Sequence, residues 1–340
     1  MQDKAYLKAT ALTAVAALGG AALAASLGIP AGALVGAMLA VAVLAGLKQP
    51  VVMPVGARDL AFLVIGLSLG SGINASVIPQ LSGWSISLLL LVLSLVATMA
   101  ASTWLLTRVF GIDRETAVLA SSPGTMSNAV AIAIEGKGDA GAVTILQLMR
   151  LIVLVALVPP LAAVLNIPTA QAVTPEPMPL WGIALLLVIG LPLGRWAGRR
   201  GVSAACLLTG IVLSAAAHLT GLLHGVAPGW MIFSGFTVTG AVLATRLSKV
   251  EPRAVLRLLW TGLAVVAMAL GMALVFAVIT QALTGLPIGQ VLIAFAPGGV
   301  EAMAAIALAL GYDPAYVAAH HFARIVILLA LVPLFLRRRG

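Results

Sequence analysis

The chain has 340 residues, of which 62% are hydrophobic and only 9% charged, against about 25% charged in an average soluble domain. The net charge of +9 comes without a basic run interleaved with aromatics, which excludes a nucleic-acid binder, and the lone Cys206 excludes an internal disulfide framework and a cysteine-based metal site. Apolar runs long enough to cross a bilayer recur along the whole length, so the chain reads as an all-α polytopic membrane protein, with Lys and Arg flanking the helices to fix topology.

In chain order, Lys4 and Lys8 precede an apolar stretch that ends in Ala24-Ala25-Ser26, the outline of a signal peptide. Gly20, however, recurs as Gly194 inside the chain, so residues 8–28 are predicted to be the first membrane helix. Further helices are predicted over 31–47, 57–73, 84–109 and 141–165, with a broken segment over 114–135. Residues 166–179 contain Pro168, Pro175, Pro177 and Pro179, which cannot continue a helix and suit an extended linker. The second half predicts helices over 180–197, 203–222, 230–248, 254–281 and 315–336, with a broken segment over 288–310. The pairs Gly32/Gly36 and Gly66/Gly70 fit small-residue helix packing inside the protomer better than a dimer motif, and a homodimer is left open.

One stretch occurs twice. Ser122-Pro123-Gly124-Thr125-Met126-Ser127-Asn128 leads through Asp139 and Arg150 to Pro159; Ala296-Pro297-Gly298-Gly299-Val300-Glu301 leads through Asp313 and Arg324 to Pro333. The spacing is 174 residues (297 less 123) throughout, with no gap. Residues 1–165 are therefore read as membrane repeat one, 166–179 as the linker, and 180–340 as membrane repeat two.

Charge decides how the repeats are related. Of the 19 Lys and Arg, all but Arg150 and Arg324 lie near predicted helix ends. If the broken segments crossed fully, those end cations would divide almost evenly between the two sides. If each broken segment enters and returns on the same side, every one of them falls on one side, which is the cytoplasm by the positive-inside rule. Each repeat then has five crossings plus a re-entrant hairpin, the second repeat is inverted, and both termini are cytoplasmic. No helix-end cation has a charged counterpart 174 residues away; only Arg150 and Arg324 are kept in both copies.

The breaks could carry chemistry. Half-helix amides at a break lack helical partners and carry partial positive charge, so discontinuous helices make anion sites. The first break offers Ser121, Ser122, Pro123, Gly124, Thr125, Ser127 and Asn128, and the second Pro297, Gly298, Gly299 and Glu301. Glu301 is the one carboxylate well inside a membrane segment; it could bind Na+, take a proton or neutralise an Arg. Its equivalent is Ser127, so its task is needed once. Gln147 and His321 each precede an Arg by three and share its helix face. The guanidiniums of Arg150 and Arg324 either bind a substrate oxyanion or cap carbonyls of the broken helix, and both readings stay open. Asp139 and Asp313 read as N-caps, and the adjacent His320 and His321 point ~100° apart, a poor metal chelate.

The repeated Pro-Gly break, the Glu301 that follows it, Gly311-Tyr312-Asp313-Pro314 and the His-His-x-x-Arg run resemble the bacterial membrane AbrB duplication family over essentially the whole chain. Its members carry labels such as ammonia monooxygenase or regulator, and the family resembles cation–proton antiporters and anion symporters. The resemblance implies inverted five-helix repeats in the bacterial inner membrane, with a core domain moving against a scaffold, and helix breaks at Pro123, Gly124, Pro297 and Gly298. The expectation is a secondary transporter of a small organic anion, coupled to Na+ or H+ and with no other cofactor. Its partners are the anionic solute and the lipid bilayer. A cation–proton antiporter of the same fold, and a membrane-bound regulator without transport, are the alternatives. An enzyme is not expected, because scattered His and one intramembrane carboxylate do not make an oxygen-activating site.

Overall fold

The computed structural model describes residues 2–73, 83–122, 126–134, 138–165, 176–202 and 204–337. They form helices in the order α1 (Gln2–Ser26), α2 (Gly32–Gly46), α3 (Val55–Gly70), α4 (Ser85–Arg108), α5 (Arg114–Ser121), α6 (Met126–Ile134), α7 (Ala140–Val164), α8 (Leu180–Arg199), α9 (Ala205–Leu219), α10 (Gly229–Thr245), α11 (Pro252–Arg257), α12 (Leu259–Thr284), α13 (Ile288–Phe295), α14 (Val300–Ala309) and α15 (Pro314–Arg337). Among the described residues, six helices are long and apolar enough to cross a bilayer, namely α1, α4, α7, α8, α12 and α15. The chain is a multi-pass membrane protein. Helices α2, α9 and α10 are apolar but shorter.

Sequence signals place these elements closely, with three differences, one being that the predicted 230–248 helix ends at Thr245 and passes into a 3-10 turn over Arg246–Lys249. The first helix begins at Gln2 rather than residue 8, because Lys4 and Lys8 sit inside its first turns instead of preceding it. The predicted 254–281 helix is two helices separated at Leu258. The bounds recur at the sequence spacing: α13, shifted back by 174, covers 114–121, which is the span of α5. Both broken segments are broken, between Ser121 and Met126 and between Phe295 and Val300.

The helices gather into two compact units, and each unit draws from both halves of the chain. One unit holds α1–α3, α8–α10 and the stretch Ala304–Ala315. Its helices approach closely at glycines. A Cβ on Gly36 would overlap the Gly20 carbonyl oxygen of α1, and one on Gly66 would overlap the Leu207 carbonyl oxygen of α9. The small-residue pairs therefore pack within the protomer. Asp59, 7% exposed, ties α3 to α8 by accepting from Arg195 Nε at 3.1 Å while also pairing with Arg58 at 2.8 Å. Leu7, Val15, Leu18 and Leu23 are exposed along α1, as expected of a lipid-facing surface in a multi-pass protein.

The other unit holds α4–α7, α11–α13, the first residues of α14, and α15 from Tyr316 onward. Both long helices after the breaks start on an aspartate cap. The Asp139 carboxylate accepts from the Gly141 and Ala142 amides at 2.8 and 3.1 Å, and Asp313 accepts from Ala315 at 2.9 Å. Asp113 does the same for α5, accepting from Thr116 at 2.8 Å. These caps supply partners that the first amides of a helix otherwise lack. An apolar cluster of Met99, Val118, Leu119, Ala129, Val143, Leu328 and Val332 joins α4–α7 and α15.

The close approach of α1 and α2 gives a direct test. Gly36→Ala should cost about 1–3 kcal/mol by overpacking, read as a lower unfolding temperature in detergent. Gly19→Ala, whose Cβ meets nothing within 4 Å, should be neutral or gain up to about 1 kcal/mol of helix propensity.

Candidate functional site at the two helix breaks

Both breaks lie in the second unit, and each faces a long helix that carries an intramembrane Arg. Helix α5 ends at Ser121 with Ser122 extended, and α13 ends at Phe295 with Ala296 extended. The last four carbonyls of any helix lack intrahelical partners, and at membrane depth they must be met by protein groups or by a water-filled cavity.

The next helix supplies them. Gln147 Nε2 donates to the Leu119 carbonyl at 2.8 Å, and Arg150 donates through Nη1 to Ala120 at 3.3 Å and through Nη2 to Ser122 at 3.2 Å. In the second half His321 Nε2 meets the Ile293 carbonyl at 3.0 Å, and Arg324 donates to Ala296 at 2.7 Å and to Gly298 at 2.6 Å. Leu119 and Ile293 are equivalent at the repeat spacing, as are Gln147 and His321, and Ser122 and Ala296. Unlike side chains thus perform one job: the residue at i and the Arg at i+3 hold the end of the preceding half-helix. A carbonyl oxygen only accepts, so His321 carries its hydrogen on Nε2. The capping reading of the two Args holds in this structure, and Arg150 and Arg324 sit ten residues into their helices as the spacing implied.

The job does not exhaust the donors. Arg150 and Arg324 are 5% and 0% exposed, and Ser121, Gln147 and His321 are 2%, 2% and 0% exposed. Among the described residues, Arg150 Nε, Arg324 Nε, Ser121 Oγ, Gln147 Oε1 and His321 Nδ1 are buried with no hydrogen-bond partner. The described ion pairs both involve Asp59 in the other unit; no described carboxylate pairs with either intramembrane Arg.

The second break itself is short. The Gly298 amide donates back to the Ala296 carbonyl at 2.8 Å, and the Met303 amide to Gly299 at 2.9 Å, so α14 begins immediately after Pro297, Gly298 and Gly299. Pro123, Gly124 and Thr125 lie outside the described residues. Ser127, Asn128 and Glu301 belong to α6 and α14 by their backbone, and their side chains lie outside the described residues. Among the described residues, no group of three or more His, Cys, Asp and Glu is arranged to hold a metal ion.

Sequence reasoning missed a second cluster in this unit. His320, treated above only as a poor chelator, packs with Trp84, Phe295 and Tyr316 and meets Ser87 Oγ at 2.9 Å. Ser87 is 233 residues away in the chain, so no spacing signal could have paired them.

A multi-pass helical chain with two broken segments, each pinned by an intramembrane Arg, is the class that the fold and site define. Residues 34–339 match the family model described as transition state regulatory protein AbrB, and the chain belongs to that family. It is also similar to the uncharacterized protein YhjN of Bacillus subtilis (strain 168), 25% identical over 254 residues. The match covers 69% of this chain and 66% of that protein.

The shared duty of Gln147 and His321 predicts a tolerated exchange. Gln147→His should keep the Leu119 bond and shift stability by less than about 1 kcal/mol. Gln147→Leu leaves a buried carbonyl open and should cost about 1–3 kcal/mol. Thermal unfolding of the two variants side by side checks this.

Proposed function

We propose that the protein is a secondary active transporter of a small organic anion of carboxylate type, working by alternating access with Na+ or H+ as coupling ion. The observation that carries this reading is the pair of buried guanidiniums without a described counter-ion. Each faces the C-terminal end of a half-helix, which offsets about half an elementary charge. Counting the described side chains alone, two Args on two such ends retain roughly one positive charge between them, in a setting where an uncompensated charge costs several kcal/mol. A bound anion would supply the missing charge. The unpartnered Nε atoms and Ser121 Oγ are donors for its oxygens. Gln147 Oε1 and His321 Nδ1 are acceptors and would suit an anion that also carries a hydroxyl or ammonium hydrogen.

The inverted architecture belongs to the same proposal. Half-helices of eight and nine residues reach about 12–14 Å, less than half of a ~30 Å hydrocarbon core. We read each pair as entering and returning on one side, because that arrangement gathers every helix-end cation, with both termini, in the cytoplasm. Residues 166–179 then face outward. The resemblance to antiporters and anion symporters, and the midplane breaks those proteins use, support the reading. The family description speaks of a regulator, so a membrane protein that senses the anion without moving it is the second reading.

Purified protein screened by thermal unfolding against acetate, lactate, succinate and glutamate should be stabilised by at least one of them. Saturation at 100 times Kd is worth about 2.7 kcal/mol. Acetamide and ammonium chloride should give no shift. No stabilisation by any small anion would overturn the anion reading, and stabilisation without uptake into proteoliposomes would favour the sensor.

Topology is checked separately, by impermeant thiol labelling of single cysteines placed in 166–179 on a Cys206→Ala background. Labelling from outside is expected, and cytoplasmic exposure would sink the inverted arrangement.

A further inference from the structure

His320 is fully buried, and no part of the site at the breaks uses it. Its Nδ1 lies 2.8 Å from the Tyr316 carbonyl oxygen, which can only accept, so Nδ1 carries a hydrogen. Its Nε2 lies 2.9 Å from Ser87 Oγ. The Ser87 hydroxyl has one hydrogen and a second acceptor in reach, the Trp84 carbonyl at 2.9 Å. That carbonyl also accepts the Leu88 amide at 2.8 Å.

The hydrogen bonds of this arrangement can be completed in two protonation states. With a neutral imidazole, Ser87 donates to Nε2 and the Trp84 carbonyl keeps the Leu88 bond. With an imidazolium, Nε2–H donates to Ser87 Oγ and the hydroxyl hydrogen turns to the Trp84 carbonyl. Every polar atom stays bonded in both states, and only one hydrogen rotates. A buried titratable group more commonly leaves a partner orphaned in one of its states, at the desolvation cost of that partner. The rings around His320 also suit a cation. Tyr316 lies at 3.9 Å between centroids, Phe295 at 6.1 Å in a stacked arrangement, and Trp84 at 6.3 Å.

We propose that His320 is a proton-binding site, with Ser87 as the hydroxyl that follows its protonation state. The charged and titratable groups around it are few. On α15 they are Tyr316, His321 and, one turn further, Arg324. Helix α13 contains none, α4 contains only Arg108 at its far end, and Glu301 stands second in α14. Arg324 stands four residues along the same helix, a spacing at which like charges oppose each other, so an anion beside Arg324 would favour a proton on His320, and the proton would favour the anion in equal measure. This last link rests on the anion reading and makes the proton the coupling ion.

The test needs no transported solute. Protein labelled with 15N-histidine in lipid nanodiscs is titrated from about pH 9 to 4, and the His320 ring signals are assigned by their loss in H320Q. Should that variant not fold, H218Q, H224Q and H321Q assign them by elimination. The expected result is conversion of His320 from the form with one ring hydrogen on Nδ1 to the form with two. Ser87→Ala should weaken proton binding at least about tenfold, and Ser87→Thr, which keeps the hydroxyl, should restore it. A His320 signal that stays in one form across the range overturns the site, and a Ser87→Ala titration identical to the parent overturns the role of Ser87. Proton binding in a protein that no anion stabilises would uphold the site and bring down only the anion reading.

Discussion

Backbone carbonyls that have lost their helix, in an apolar interior, are the constraint on which the second unit is built. Each break leaves a set of them at the end of an eight-residue helix. An unsatisfied backbone group in the hydrocarbon costs several kcal/mol, whereas an Arg at the centre of a membrane helix costs about 2.5–3.5 kcal/mol on insertion scales. One Arg that meets two carbonyls, helped by a neighbour that meets a third, therefore offsets part of its own insertion. Its charge also faces the negative end of the half-helix dipole. The long helices α7 and α15 start on aspartate caps and carry the Arg ten residues on, which delivers the guanidinium to the break.

Capping the break and binding an anion are compatible duties for the same Arg. A guanidinium has five N–H donors in a fixed fork. The carbonyl bonds use Nη1 and Nη2, and they leave Nε without a partner among the described residues in both copies. A ligand would then meet an Arg whose orientation is already fixed by the protein, so little rotamer entropy is lost on binding. Substitution of either Arg, taken alone, cannot separate the two duties, because loss of the carbonyl bonds and loss of the charge come together.

Much of the fold is legible in the sequence because the apolar periodicity, the Pro-Gly breaks and the aspartate caps are local signals. A Pro-Gly pair marks the end of helix α5 and another the end of helix α13, and the shared spacing alone sets Arg150 and Arg324 at equivalent depth. The equivalence of Gln147 and His321 is hidden by their chemistry. Only the pair of carbonyls at Leu119 and Ile293 shows that an amide and an imidazole do the same work. The grouping into units is not legible either, since each unit takes helices from both halves, and contacts such as Ser87 with His320 span most of the chain. Sequence spacing finds neighbours on one helix; it does not find the helix across the way.

What the two halves keep and what they change separate two kinds of requirement. The caps, the Args and the carbonyl-holding residues are kept in function, because each half must satisfy a break of its own. His320 and its rings are not kept, whereas the hydroxyl is, since Ser87 corresponds to Thr261. At the repeat spacing His320 corresponds to Leu146, Tyr316 to Ala142, Phe295 to Ser121 and Trp84 to Leu258. Leu146 lies in an apolar cluster with Leu106, Ala117, Ala120 and Val265, and Leu258 packs against that cluster. One half therefore places an imidazole and three rings where the other places two leucines, an alanine and Ser121, beside a hydroxyl that both halves hold. Packing at the central position is served by Leu146, which fills it without burying an imidazole. A buried imidazole held in bonds that tolerate two protonation states has a different use, and a task needed once per molecule asks for it in one half only.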